Sequence, residues 1–388
     1  MGKSGSSNII DHFKNIEDPR IERNKKYLVW DIISLTICAV VCGCETWEEI
    51  ELYGKEKEGW LKTILELPHG IPSHDTIRRL FIRLNPEQLQ ECFLSWVEAV
   101  RKSTEGEIVA IDGKTARRTH DRLKDKAPLH MVSAWSHENR LILGQVKTDE
   151  DSNEITAIPR LLKLLELKGS IVTIDAIGTQ KEIAEAIVEK EANYVLAVKA
   201  NRPTLHEELQ WFFDDIDLEA DLEAKLVDYD RDVEKDHGRI EIRECVCSKE
   251  IDWLKPYLEG WLGVKSIAMV KATRIIGEQE SQESRYYLSS LEPHATLLSK
   301  AVRAHWGVEN SVHWVLDAVF REDESRMRTG NSPENYAILR RMALNLVRRD
   351  VSSKRSLKGR RKICGWNNEY LENLLFAPDE TFQPRDNQ

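Results

Sequence analysis

The chain has 388 residues, 41% hydrophobic and 31% charged, with a formal net charge of −10 at pH 7. That length allows two or three domains, each with its own core. The balance excludes a disordered chain, and the acidic total argues against a protein that coats nucleic acid by bulk positive charge. The seven cysteines, an odd number without paired CxxC units, argue against a disulfide framework or structural zinc and for a reduced, cytoplasmic protein. The opening MGKSGSSNIIDHFKN has no apolar core of a signal peptide. The most apolar stretch, Ile32 to Cys44, is 13 residues, too short to span a bilayer.

Residues 1–102 read as an all-helical unit. Apolar residues recur at helical spacing through YLVWDIISLTICAVV, TWEEIELYGKEKEGWLKTIL and PEQLQECFLSWVEAV. Between the last two, HGIPSHDTIRRLFIRL holds a Gly/Pro turn, Ser73 as N-cap and a stripe of Ile77, Leu80, Phe81 and Leu84. With Arg78, Arg79 and Arg83 on its helix, the segment fits an ordinary helical hairpin and also a helix-turn-helix.

From Glu107 the pattern changes. IVAIDG, HMVSAWSH and RLILGQVKTD are strand-like. Helix AIPRLLKLLEL, strand SIVTID, helix QKEIAEAIVEKE and strand YVLAVKAN follow. The order β-β-β-α-β-α-β, with two crossover helices, predicts an α/β fold whose later strands are parallel, flanked by helices on both faces. Residues 201–295 read as a β-rich insertion of four alternating runs. Helices resume at LLSKAVRAHWGVENSVHWVLDAVF and SPENYAILRRMALNLVRRD, the latter with Ser332 as N-cap and Pro333 at its first position. Residues 351–388 are expected to form a flexible basic tail. Arg340 to Lys362 holds ten Lys/Arg against one acid, Asp350, so charge distribution leaves nucleic acid open as a partner, though a solvated face explains the same run.

Two strand-like runs end on a carboxylate, Asp112 and Asp175. Asp is a common strand terminator and Asp-Gly a favoured turn. Ligands of an open α/β sheet, however, gather at the carboxyl ends of its strands, and paired carboxylates there suit magnesium. Two such ions about 3.5–4 Å apart can clamp an in-line phosphoryl displacement. A third acid is available in RAHWGVENSVHWVLDAVF, where His305, Glu309 and His313 stand four apart on one helix face beside Trp306 and Trp314. The spacing is not the His-Glu-x-x-His of zinc hydrolases. An exposed polar face is the alternative.

Taken together, IDGKTARRTHDR, PLHMVSAWS, LGQVKTDEDSNEITAIPRLL, IVTIDAIGTQKEIA, NYVLAVKANRP, HGRIEIRE, HWGVENSVHWVLDAVFREDESRMRTGN and LRRMALNL resemble an insertion-sequence transposase of the ISAs and H-repeat-associated group, in order over nearly the whole chain. The resemblance implies a ribonuclease-H-like mixed sheet flanked by helices (103–200 and 296–350), an N-terminal helical domain (1–102) that binds DNA ends, and the β-rich insertion. It implies Asp112, Asp175 and Glu309 as an Asp-Asp-Glu triad holding two Mg²⁺, with Mn²⁺ as substitute, and no small-molecule cofactor. The reaction implied is cleavage of element ends and transfer of the freed 3′-hydroxyl into target DNA. The partner is double-stranded DNA, met by a homodimer, in the bacterial cytoplasm at the nucleoid and without a membrane. Lys114, Lys199, Arg326 and Arg328 are the expected phosphate contacts. His305 stands where related families have Arg, Leu316 where they have Lys, and Trp306 is a candidate base-stacking residue as well as a core one. The same features accommodate a ribonuclease-H-like nuclease or resolvase, and a DNA-binding relative without catalysis.

Overall fold

Five helices precede the first strand: α1 (Val29–Cys42), α2 (Trp47–Glu56), α3 (Glu58–Leu61), α4 (His74–Arg83) and α5 (Pro86–Val100). The computed structural model describes residues 8–22, 25–102, 104–120, 127–149, 153–236, 238–351 and 353–377. Helix α1 is apolar on nearly every side and buried along most of its length, the pattern of a helix that others pack around. It stops at Gly43, whose φ of 110° suits glycine, and whose N–H returns to the carbonyls of Ala39 and Val40. The single helix expected from Thr46 to Leu65 is broken at Lys57 into α2 and α3. Helix α4 starts as expected, with Ser73 accepting from the Thr76 N–H. Among the described residues no single helix is long and apolar enough to cross a membrane.

The sheet begins with β1 (Ile108–Ala116), β2 (Leu129–Ser136) and β3 (Leu141–Lys147). Helix α6 (Glu154–Leu164) leads to β4 (Ile171–Ile174), and α7 (Lys181–Glu189) to β5 (Asn193–Val198). These strands lie in the order β3-β2-β1-β4-β5. The first three are antiparallel, and β1, β4 and β5 are parallel, as the two crossovers require. This is a ribonuclease-H-like arrangement. One detail departs from expectation. Strand β1 does not stop at Asp112 but runs on to Ala116, because antiparallel pairing with β2 continues after the shorter β4 has ended.

Residues 201–295 open with two helices, α8 (Pro203–Asp214) and α9 (Leu218–Glu223). They then supply β6 (Val227–Asp236), β7 (Arg239–Ser248), β8 (Ser266–Ile276) and β9 (Gln279–Ser289). Strand β9 pairs with β5, so these four strands extend the same sheet to nine, ending β5-β9-β8-β7-β6. Next come α10 (Ala295–Val308), a π-helical turn over Glu309–His313, α11 (Trp314–Ala318) and α12 (Ser332–Arg349), which packs on α1. Helix α12 starts at Ser332 with Asn331 at its cap, one residue before the expected position.

The expected flexible tail is replaced, up to residue 377, by α13 (Leu357–Trp366) and α14 (Asn368–Phe376), with residues 378–388 outside the described residues. Leu371, Leu374 and Leu375 are fully buried. Arg361 donates to the carbonyls of Val40 and Val41 in the last turn of α1, and Arg349 does the same for Leu374 and Ala377 at the end of α14. Cations at helix carboxyl ends are favoured by dipole and hydrogen bond alike.

Candidate active site

Strands β1 and β4 are in register up to Ile111 opposite Ile174, so the next residue on each is an aspartate. Neighbouring strands lie about 4.8 Å apart, which sets Asp112 and Asp175 side by side where the parallel pairing ends. Asp112 Oδ1 accepts from the Gly113 N–H at 2.8 Å. Asp175 Oδ1 accepts from Ile177 and Gly178 and caps the short turn that follows. Each carboxylate is steadied through one oxygen by its own chain.

Helix α10 packs across β1, β4 and β5 and brings Glu309 to the aspartates. Glu309 Oε2 lies 2.9 Å from His313 Nδ1, and that nitrogen is 3.7 Å from Asp112 Oδ2. One ligand atom from each of Asp112, Glu309 and His313 falls within 4.8 Å of the other two. Asp175 is outside this tight group but lines the same cleft of about 370 Å³, together with Asp112, Glu309, Lys199, His305 and Trp306. Six of the nine residues expected at the site therefore share one cavity.

Electrostatics follow from this crowding. Burial, with Glu154, Asp175 and Glu309 nearby, pushes the Asp112 carboxyl up to about 7 against the opposing Gly113 hydrogen bond. Burial and then Glu154 raise Asp175, while Lys199 pulls it down. Burial lowers His305 to about 4, so the ring is neutral; its Nδ1 lies 3.2 Å from Thr173 Oγ1. Burial likewise lowers His313, with Arg341 and Lys114 acting in the same sense and Glu309 against.

Three expected phosphate contacts lie elsewhere. Lys114 is buried, its ammonium 2.7 Å from Asp317, 3.6 Å from Asp323 and 3.9 Å from Glu322. Its neighbours are carboxylates, and it does not line the cavity of the three acids. Arg326 and Arg328 are exposed but line a separate groove with Arg78 of α4. The basic run from Arg340 is also largely internal at its start: Arg340, Arg341, Arg349 and Arg361 are all buried.

Sequence reasoning missed two contributors, Glu154 and Arg285, and one contact of His313. Glu154, first residue of α6, accepts through Oε1 from His130 Nε2 at 2.9 Å and sits over Gly113. Its position at the start of the helix after β3 was the available signal. Arg285 of β9 stacks its guanidinium 4.0 Å from the Trp306 ring and lines the cleft, a juxtaposition that needs the β5–β9 pairing. His313, read as a neighbour of Glu309, also reaches Asp112.

Comparison with known proteins gives two family matches. Residues 103–346 match the model described as transposase DDE domain, and residues 10–97 the one described as DDE_Tnp_1-associated. The chain is 40% identical over 375 residues to "Putative transposase YncI" of Escherichia coli O157:H7, covering 96% of this chain and 95% of that protein. It is 37% identical over 372 residues to "H repeat-associated putative transposase YhhI" of Escherichia coli K12, covering 95% and 97%. Among solved structures, a piggyBac transposase synaptic complex with hairpin DNA aligns with a TM-score of 0.42 at 12% identity, over 95% of this chain and 80% of that one.

Proposed function

The chain belongs to the DDE transposase family, and on that premise we propose that it cuts the ends of a mobile element and joins the freed 3′-hydroxyls to target DNA at the cleft of Asp112, Asp175 and Glu309. The observation that carries this reading is the register of Ile111 with Ile174, which sets two aspartates side by side within one cavity that Glu309 also lines. The donor set is carboxylate oxygen from three separate parts of the chain, which fits divalent ions such as Mg²⁺ or Mn²⁺. Held there, such ions supply a lowered nucleophile pKa and neutralise phosphoryl charge.

The chain's own residues do the rest. The Gly113, Ile177 and Gly178 N–H groups orient the aspartates. Lys199 and Arg285 bring positive charge to the cavity wall, where it attracts phosphate. Trp306, 52% exposed and braced by Arg285, offers an aromatic face to a base displaced from the duplex. The exposed Arg78, Arg326 and Arg328 offer a second, remote grip on the DNA backbone. On this reading the helices before residue 103 bind element ends, and two copies bridge them.

The test uses DNA carrying the element's terminal repeats, incubated with the full chain and Mg²⁺ or Mn²⁺. Wild type should cut and join, and Asp112→Asn, Asp175→Asn and Glu309→Gln should do neither while still binding. Cleavage that survives Asp112→Asn would falsify the assignment. Cutting without joining would make the chain a nuclease on the same fold.

A further inference from the structure

We propose that His313 is a protein ligand to one of the ions at this site, so that the position between Asp112 and Glu309 has a mixed oxygen–oxygen–nitrogen donor set. This inference rests on the metal-dependent reading above and deepens it.

The geometry is that of one coordination sphere. Ligands about 2.1 Å from an octahedral ion lie about 3.0 Å apart when adjacent and about 4.2 Å apart when opposite. His313 Nδ1 is 2.9 Å from Glu309 Oε2 and 3.7 Å from Asp112 Oδ2, and all three ligand atoms fall within 4.8 Å of one another. A single ion seated among them needs only small side-chain adjustments. The residues come from β1 and from the π-helical turn Glu309–His313, an irregularity often found at functional sites.

The ring's other nitrogen is not committed elsewhere and can take up the proton that coordination through Nδ1 displaces. The His313 side chain is 8% exposed, and its buried Nε2 has no hydrogen-bond partner among the described residues. Which nitrogen of a histidine carries the proton is set by what the other one touches; here nothing fixes Nε2 from behind. Without an ion, Nδ1–H donates to Glu309. When an ion binds, the Nδ1 lone pair takes its place in the sphere and the proton moves to Nε2, with no net loss of protons from the ring. An imidazole donor shifts preference from Mg²⁺, which favours carboxylate and water, toward Mn²⁺ and later transition metals.

The probe is Mn²⁺ alone, added to the full chain, and the readout is electron spin-echo modulation from ligand nitrogen. Wild type should show ¹⁴N modulation from a directly bound imidazole, and biosynthetic ¹⁵N-histidine should alter it without changing the fold. His305→Gln should retain the modulation; His313→Gln should lose it and bind Mn²⁺ roughly tenfold or more weaker, while Mg²⁺ affinity changes much less. Asp112-dependent Mn²⁺ binding without nitrogen modulation in wild type would overturn the inference and leave His313 as a brace for Glu309. Absence of Asp112-dependent binding would overturn the metal-site reading and this inference together.

Discussion

Lys114 separates two physical accounts of one residue. If it grips a phosphate, replacing it weakens DNA binding and flattens the salt dependence of log K by about 0.9. If it closes an acidic cage, replacing it costs folding stability and leaves the salt slope alone. The structure favours the second: Asp317, Glu322 and Asp323 surround an ammonium on a side chain only 7% exposed. Lys114→Met keeps the buried stem and removes the charge. Breaking a fully buried pair costs about 3–5 kcal/mol. Here the nearest partner, Asp317, is 37% exposed and can recover water, and Glu322 keeps its pairing with Arg341 at 2.7 Å. The expected loss is therefore smaller, about 2 kcal/mol, read as a lower urea midpoint at unchanged m. A titration of DNA affinity against salt on the same variant completes the assay. An unchanged midpoint with a slope reduced by about one would refute the cage.

Three more outcomes follow from the same packing. Burial alone would raise the Glu322 carboxyl, but Arg341, Arg340 and Lys114 hold it below its ordinary 4.5. The stability it contributes is thus present above about pH 4.5 and lost as pH falls through the folded-state value, and Glu322→Gln should reduce the pH dependence of unfolding in that acid window. Gly113→Ala would thrust a methyl into the Glu154 carboxylate and His130 Nε2, shifting Asp112 and lowering cleavage roughly 10²-fold; near-wild-type turnover would mean that Glu154 moves freely aside. Truncation after Asp350 removes three fully buried leucines and the Arg361 cap on α1. At about 1.5–3 kcal/mol per leucine, the shortened chain should melt far below wild type or fail to fold, whereas a merely flexible tail would leave melting unchanged.

The strand order and the pairing of Asp112 with Asp175 at the ends of neighbouring strands were legible because each rests on local pattern. Alternating and continuous apolar runs gave the β-β-β-α-β-α-β order, and two of those runs stop on carboxylates. What stayed hidden depends on partners far away in the chain. Asp112-Gly113 reads as a turn, yet β2 holds hydrogen bonds with β1 past it as far as Ala116. The insertion reads as separate because nothing local announces that β9 will pair with β5. The break at Lys57, where the backbone leaves the helical region at φ −107° and ψ 9°, has no local cause that we can identify.

Cations misled most, because sequence reports charge but not burial. Lys114 on β1, Arg341 on α12 and the acids at 317–323 meet only once the sheet and α12 have come together. Arg341 also donates to Ser133 of β2 and to Glu322, so one ionic network ties β1 and β2 to the segment just beyond Glu309. Such a network adds little net stability over an apolar core, but removing either member leaves a buried charge unpaired, so each arrangement is specific. Its effect here is positional. Asp112 is carried by β1, two residues from Lys114, and Glu309 by the helix that leads into Asp317. A tether between Lys114 and Asp317 therefore acts on the separation of those two carboxylates, from the same face of β1 that carries Asp112.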